Sequence, residues 1–140
     1  MKLEKATSKD ADKMLSLSKE QMKCYFEENS LEWNEDERTS YLKESEIFRI
    51  LSPDFSGYLQ LCEKENELFI YDVQIIPERQ GQGIGTKVVR RVFDIAKERG
   101  MEAVRLGSFN SNPVSELYKR LGFKIIKQND YFAWYRYAIT

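Results

Sequence analysis

With no histidine and only two cysteines, Cys24 and Cys62, the 140-residue chain has a short inventory of reactive groups. A zinc site, a Ser-His-Asp triad and a Cys-His pair all lack their parts, so proton transfer falls to carboxylates, tyrosines, lysines or water, and no metal is expected. The cysteines sit in dissimilar segments and read as reduced, partly buried thiols. The spacing that could do chemistry belongs to glycines. Gly81, Gly83 and Gly85 alternate between an apolar run, Val73-Gln74-Ile75-Ile76, stopped by Pro77, and a valine-rich stretch of helical period. Glycine lets backbone N–H groups approach a ligand without an intervening Cβ, and a helix starting there adds its unpaired first-turn donors and positive dipole end. A phosphate or pyrophosphate is the natural guest.

Spacing then separates the phosphate-binding classes. The dinucleotide fingerprint needs Gly-x-Gly-x-x-Gly, and here the third glycine comes one residue early, which disfavours a nicotinamide-dependent redox protein. A Walker loop needs Gly-Lys-Ser/Thr, whereas Gly85 is followed by Thr86 and then Lys87. A plain strand-to-helix turn could use a single glycine; three exceed what packing needs.

The segment Gln80-Gly81-Gln82-Gly83-Ile84-Gly85 resembles the Gln/Arg-x-x-Gly-x-Gly/Ala pyrophosphate loop of the GCN5-related N-acetyltransferase (GNAT) family. A second segment, Asn112 to Phe123, is similar to the family's other cofactor element, with Ser115 where a small residue is usual and Tyr118 before Leu121-Gly122-Phe123. The resemblance implies acetyl-CoA as co-substrate, held by backbone groups of Gln80, Gly81, Gln82, Gly83, Ile84, Gly85 and Thr86, with Asn112 opening the second element. It also implies main-chain donors around Val73 to Ile75 for the thioester carbonyl, and Tyr118 as the acid that protonates the departing thiolate. Where many members carry a glutamate before the loop, this chain has Phe69, Tyr71 and Asp72. Asp72 is the candidate base, directly or through water, and a solvated or structural aspartate is the alternative.

The elements that must position these groups follow from periodicity and punctuation. Met1 to Ala6 reads as a short strand, and Thr7-Ser8-Lys9-Asp10 as a capping box opening a long amphipathic helix that ends near Asn29. A second helix is expected over Asn34 to Ser45. Ile47–Leu51, Tyr58–Cys62 and Leu68–Ile76 read as strands, separated by turn chemistry at Pro53–Gly57 and a polar turn at Glu63–Glu67. After the glycine loop a helix runs to Gly100, and Glu102–Ser108 follows as a strand parallel to the one before the loop. Asn112 caps a helix with Pro113 at its first position, and Phe123–Lys127 and Tyr131–Ile139 close the chain as a hairpin. The expected fold class is α/β (α+β): a mixed, mostly antiparallel sheet of six or seven strands with helices on both faces, in one domain spanning 1–140.

Apolar residues make up 41% and charged residues 32% with 3 prolines, so the chain should fold throughout. No apolar run approaches the roughly 20 residues that span a bilayer, and Met1-Lys2-Leu3-Glu4-Lys5 lacks the apolar core of a signal peptide, so a cytosolic protein is expected. Residues 1–76 hold 10 Lys/Arg against 17 Asp/Glu, net −7, and residues 77–140 hold 12 against 6, net +6. The basic half suits a polyanion such as coenzyme A. Glu27, Glu28, Glu32, Glu35, Asp36 and Glu37 form either a solvated face or an acidic rim for an amine. The resemblance thus implies acetyl transfer to a small-molecule or protein amine through a ternary complex, with a non-catalytic acyl-CoA sensor as the alternative. Neither a nucleic acid nor a membrane is expected as partner, and assembly as a homodimer stays open.

Overall fold

The computed structural model describes every residue from Met1 to Thr140. The chain runs β1 (Lys2–Lys5), α1 (Ser8–Glu28), α2 (Glu35–Leu42), β2 (Glu46–Leu51), β3 (Phe55–Lys64), β4 (Glu67–Ile75), a 3-10 turn (Pro77–Arg79), α3 (Ile84–Glu98), β5 (Ala103–Phe109), α4 (Val114–Arg120), β6 (Lys124–Gln128) and β7 (Phe132–Ala138). All seven strands share one sheet in the order β1-β2-β3-β4-β5-β7-β6. Pairing is antiparallel except between β4 and β5, the parallel pair that α3 connects. The expected mixed sheet is therefore present.

Strand alternation divides side chains between two faces. On one, Leu59, Leu61, Leu68, Ile70 and Val104 pack with Val88, Val89 and Val92 of α3 and with Tyr118 of α4. On the other lies α1, where Tyr58 donates to Asp10 Oδ1 at 3.0 Å and Gln21 donates to Gln74 Oε1 at 2.8 Å. Burying one valine stabilises by roughly 1.5–3 kcal/mol, whereas an exposed ion pair is worth about 0–1 kcal/mol. The three buried valines therefore hold α3 against the sheet, whereas the Arg91–Glu98 pair lies within the helix and ties it to no other element.

Local punctuation sets most boundaries. Thr7 N–H donates to Asp10 Oδ2 at 3.0 Å at the start of α1, and Glu37 N–H donates to Asn34 Oδ1 at 2.9 Å at the start of α2. The β3–β4 hairpin turns through Glu65 and Asn66, both at positive φ. One turn expectation gives way: Phe55, Ser56 and Gly57 belong to β3 rather than to the turn after Pro53. Gly57 serves close approach, since a Cβ there would lie 2.0 Å from the carbonyl oxygen of Gln74 on β4.

Two features of β4 create space. Leu61 pairs with Ile70 and Gln60 with Asp72, which leaves Tyr71 as an extra residue in a bulge. Pairing between β4 and β5 runs only from Glu67↔Ala103 to Ile70↔Leu106. Beyond that point β4 stays with β3 through Gly57↔Ile75, while β5 stays with β7 through Phe109↔Phe132. The bulge bends and twists β4 where the two strands part, and the sheet opens into a V.

Candidate active site

The V is the floor of a cleft of about 550 Å³ whose walls come from α1, α2, the start of α3, α4 and the diverging strands. Ile76 N–H donates to Ser56 O at 2.9 Å, toward β3. Along an extended strand the main-chain groups alternate in direction, so those of Val73 and Ile75 point away from β3 into the gap that β5 has left. The Ile75 carbonyl accepts from Gln80 Nε2 at 2.9 Å, which ties the loop to the strand end.

The glycine loop closes one end of the cleft. Gly81 has φ 76° and Gly83, the residue before α3, has φ 78°, a left-handed conformation that favours glycine. Six consecutive N–H groups, from Gly81 to Thr86, donate to no acceptor in the protein; the first helical bond is Lys87 N–H to Gly83 O at 3.2 Å. A Cβ added to Gly81 or Gly83 would meet nothing within 4 Å, and one on Gly85 would only touch Leu117 Cδ2 at 3.9 Å. The protein does not use this space, and the donor array with its helix N-terminus fits a pyrophosphate. Ile84 has a core side chain, 3% exposed, so it offers only its N–H. Gln82 lies on the outer side, its Nε2 3.5 Å from Glu78 O, and Asn112 lines the cleft while its Oδ1 accepts from Val114 N–H at 3.1 Å at the start of α4.

Tyr118 and Asp72 line the same cleft from opposite elements. The Tyr118 ring packs edge-on against Phe123 and Tyr135, so the core-aromatic role and the cleft role coincide in one residue. Its hydroxyl has no hydrogen-bond partner, yet it is not one of the two sealed unsatisfied side-chain atoms, Ser18 Oγ and Trp33 Nε1; it therefore opens on the cleft. Burial, then the Asp72 charge, pushes its phenol well above the ordinary tyrosine value, so the group holds its proton. Asp72 follows the bulge. Burial raises its carboxyl, opposed by the Gln74 amide and the Arg38 charge. Tyr71, at the bulge, is pushed up to about 12 by burial and by the neighbouring Cys62 thiol.

Sequence reasoning missed two groups here. A one-way chain of amides runs from the loop to the carboxylate: Gln80 Nε2 donates to Gln21 Oε1 (2.7 Å), Gln21 Nε2 to Gln74 Oε1 (2.8 Å), and Gln74 Nε2 to Asp72 Oδ1 (2.8 Å). Scattered glutamines give no local signal of such a network. The second group is Arg38, which stacks its guanidinium 4.5 Å from the Trp33 ring centroid and lines the cleft. An aromatic wall also lines the cleft, where Tyr25 stacks on Phe109 at 5.5 Å.

Comparison with known proteins decides the family. The model of the "Acetyltransferase (GNAT) family" matches residues 14–123. The chain belongs to the GNAT family. Among curated GNAT relatives, thialysine N-epsilon-acetyltransferase of Bos taurus is 29% identical over 75 residues, covering 53% of this chain and 44% of that protein. Streptothricin acetyltransferase of Streptomyces lavendulae is 39% identical over 73 residues, covering 50% and 39%. The chain thus spans less than half the length of these two relatives. Among solved structures, the ribosomal-protein-S18-alanine N-acetyltransferase from Escherichia coli matches with TM-score 0.75 at 16% identity, covering 99% of this chain and 94% of that one. A Bacillus subtilis acetyltransferase in complex with CoA matches with TM-score 0.73 at 17% identity, covering 99% and 97%. These last two establish the GNAT fold.

In this GNAT chain the acidic helices stand outside the site. Glu35 pairs with Lys19, Glu27 with Lys23, Glu37 accepts from Tyr41 and Glu28 accepts from Ser111. None of the six acidic residues of that run lines the cleft, whose only charged side chains are Asp72 and Arg38. No helix is long and apolar enough to cross a membrane.

Proposed function

We propose that the protein transfers the acetyl group of acetyl-CoA to a primary amine by direct attack in a ternary complex. The observation that carries this reading is the six free N–H groups of Gly81–Thr86 at the end of a gap lined by an unpartnered phenol and a half-buried carboxylate. Acetyl-CoA would supply an acyl thioester, whose carbonyl carbon is attacked by the amine nitrogen as its C–S bond breaks. The loop amides hold the pyrophosphate, and the unpaired main chain at Val73 and Ile75 offers donors for the carbonyl oxygen as it gains charge. Asp72 takes a proton from the ammonium, which cannot attack while protonated. Tyr118 gives its proton to the departing thiolate; the attacking nitrogen sheds its second proton to solvent as the amide forms, Asp72 releases the first to solvent, and solvent restores the phenol. A phenol of ordinary pKa ≈ 10 lies close enough to a thiol of ≈ 8.5 for this transfer, and the raised value ensures that the proton is there to give.

The test is an amine panel incubated with acetyl-CoA, with acetylated products read by mass spectrometry and CoA binding read by calorimetry. Wild-type protein should acetylate at least one amine and bind CoA but not NAD. Tyr118→Phe keeps the ring and should lose roughly 10²–10⁴-fold in turnover with CoA affinity little changed. CoA binding without turnover on any amine would identify a sensor instead, and undiminished turnover in the variant would remove Tyr118 from the mechanism.

A further inference from the structure

We infer that the acceptor carries a carboxylate as well as its amine, and that Arg38 is the residue that reads it; this rests on the acetyl-transfer reading above. Arg38 lies on α2 in the middle of an acidic run, where an arginine would ordinarily pair with a neighbouring carboxylate. It pairs with none. Glu35 is taken by Lys19 at 3.1 Å, and Glu37 accepts the Tyr41 hydroxyl at 2.6 Å. No hydrogen bond or salt bridge reaches the Arg38 guanidinium, and none of its nitrogens is sealed from solvent. Two rings hold it instead: its guanidinium carbon lies 4.5 Å from the Trp33 ring centroid and 5.8 Å from that of Phe26. Stacking of this kind leaves the edge donors of the fork free while holding the group in one orientation, which suits a planar, bidentate acceptor.

The position supplies the second half of the argument. Arg38 and Asp72 are the only charged side chains lining the cleft, and they are near enough that Arg38 opposes the rise of the Asp72 carboxyl without bonding to it. An amine bound at Asp72 brings one positive charge to the site. A carboxylate on the same molecule would answer the remaining positive charge at Arg38, so the cleft presents complementary poles to an amino acid or to a chain end that carries both groups. A diamine or polyamine would place a second cation against Arg38, at an electrostatic cost. The acceptor chosen by the cleft is therefore the opposite of the polycation that the acidic helices would favour.

The experiment compares matched acceptors with wild-type protein: the free amino acids, their α-carboxamides, lysine-ended tripeptides, and the diamine cadaverine. Acids should exceed their amides in kcat/KM by on the order of 10–100-fold, as expected for a lost charge-assisted bond. The tripeptides with free and amidated ends tell a chain end from a free amino acid as the source of the carboxylate. Arg38→Gln should collapse the acid-to-amide ratio toward one through the KM of the acid, with Arg38→Lys recovering part of it. CoA binding and the melting temperature report whether each variant is folded. Equal rates for acids and amides, preference for cadaverine, or an Arg38→Gln variant that loses kcat on acid and amide alike, would each overturn this inference while leaving acetyl transfer intact. Acetylation of no amine at all would overturn both.

Discussion

Asp72 is the residue whose environment makes the sharpest demand. A carboxyl raised by burial above its ordinary 3.8 binds its proton more tightly in the folded chain than in the unfolded one. The stability linked to that proton is fully present below the unfolded value and is lost as pH rises through the higher folded value, so ionised Asp72 is a destabilising presence at neutral pH. Function offsets that cost if the group is the base. Asp72→Asn keeps an oxygen for the Gln74 amide but removes the charge. It should melt no lower than wild type at pH 7, the difference closing on acidification, while turnover falls roughly 10²-fold or more. The wild-type rate should fall on the acid side at a pH above the ordinary carboxylate range, and that limb should vanish in the variant. Superimposable pH–rate profiles would assign the aspartate to structure alone. The phenol of Tyr118 adds no alkaline limb near neutrality, because its shift lies upward, away from the assay range.

Elements show which parts of the site were legible and which were not. The glycine loop and α3 could be read because their chemistry is local: positive-φ glycines, a helix start and a valine stripe are all written in consecutive residues. The parallel β4–β5 unit followed from the helix between them. By contrast, the Tyr71 bulge depends on which residue of β3 faces which residue of β4, and nothing in the run Leu68–Ile76 marks it. The insertion of β7 between β5 and β6 is likewise a long-range pairing, as are the Gln80–Gln21–Gln74–Asp72 chain and the stacking of Arg38 on Trp33. Two glycines separate loop geometry from ligand binding. Gly83 (φ 78°) and Gly100 (φ 67°) both begin or end α3 in left-handed geometry, and neither would meet an atom within 4 Å on gaining a Cβ. Alanine at either site should therefore cost about 1–2 kcal/mol of stability from backbone strain alone. Gly83→Ala should also weaken CoA binding at least tenfold, because relaxing that φ turns the loop N–H groups, whereas Gly100→Ala should bind as wild type. Equal CoA affinities in the two variants would mean that the loop's shape serves the turn and not a ligand.

At the scale of the whole molecule, the cleft divides the sheet into β1–β4 and β5–β7, joined by four residue pairs of parallel ladder and by the packing of α3 across both. Because α3 contributes Val88, Val89 and Val92 to a core that includes residues of β3, β4, β5 and β7, the halves should unfold together despite the open V. Calorimetry of the free chain should show a single transition; two would mean that the halves are separate units. A ligand seated on the loop and against both diverging strands binds only the folded chain, so it should raise stability by about 2.7 kcal/mol at 100 times its Kd. For a chain of 140 residues that is a shift of the melting temperature on the order of 5–10 °C. Acetyl-CoA and CoA should both produce it, since both carry the pyrophosphate that the loop would hold, and NAD should not, for want of the dinucleotide spacing. The Gly83→Ala protein should need more CoA for the same shift, while Gly100→Ala, lower in starting temperature by a similar amount, should shift as the wild type does. An unchanged melting temperature with saturating CoA would take the cofactor out of this cleft, and with it the roles assigned to Tyr118 and Asp72.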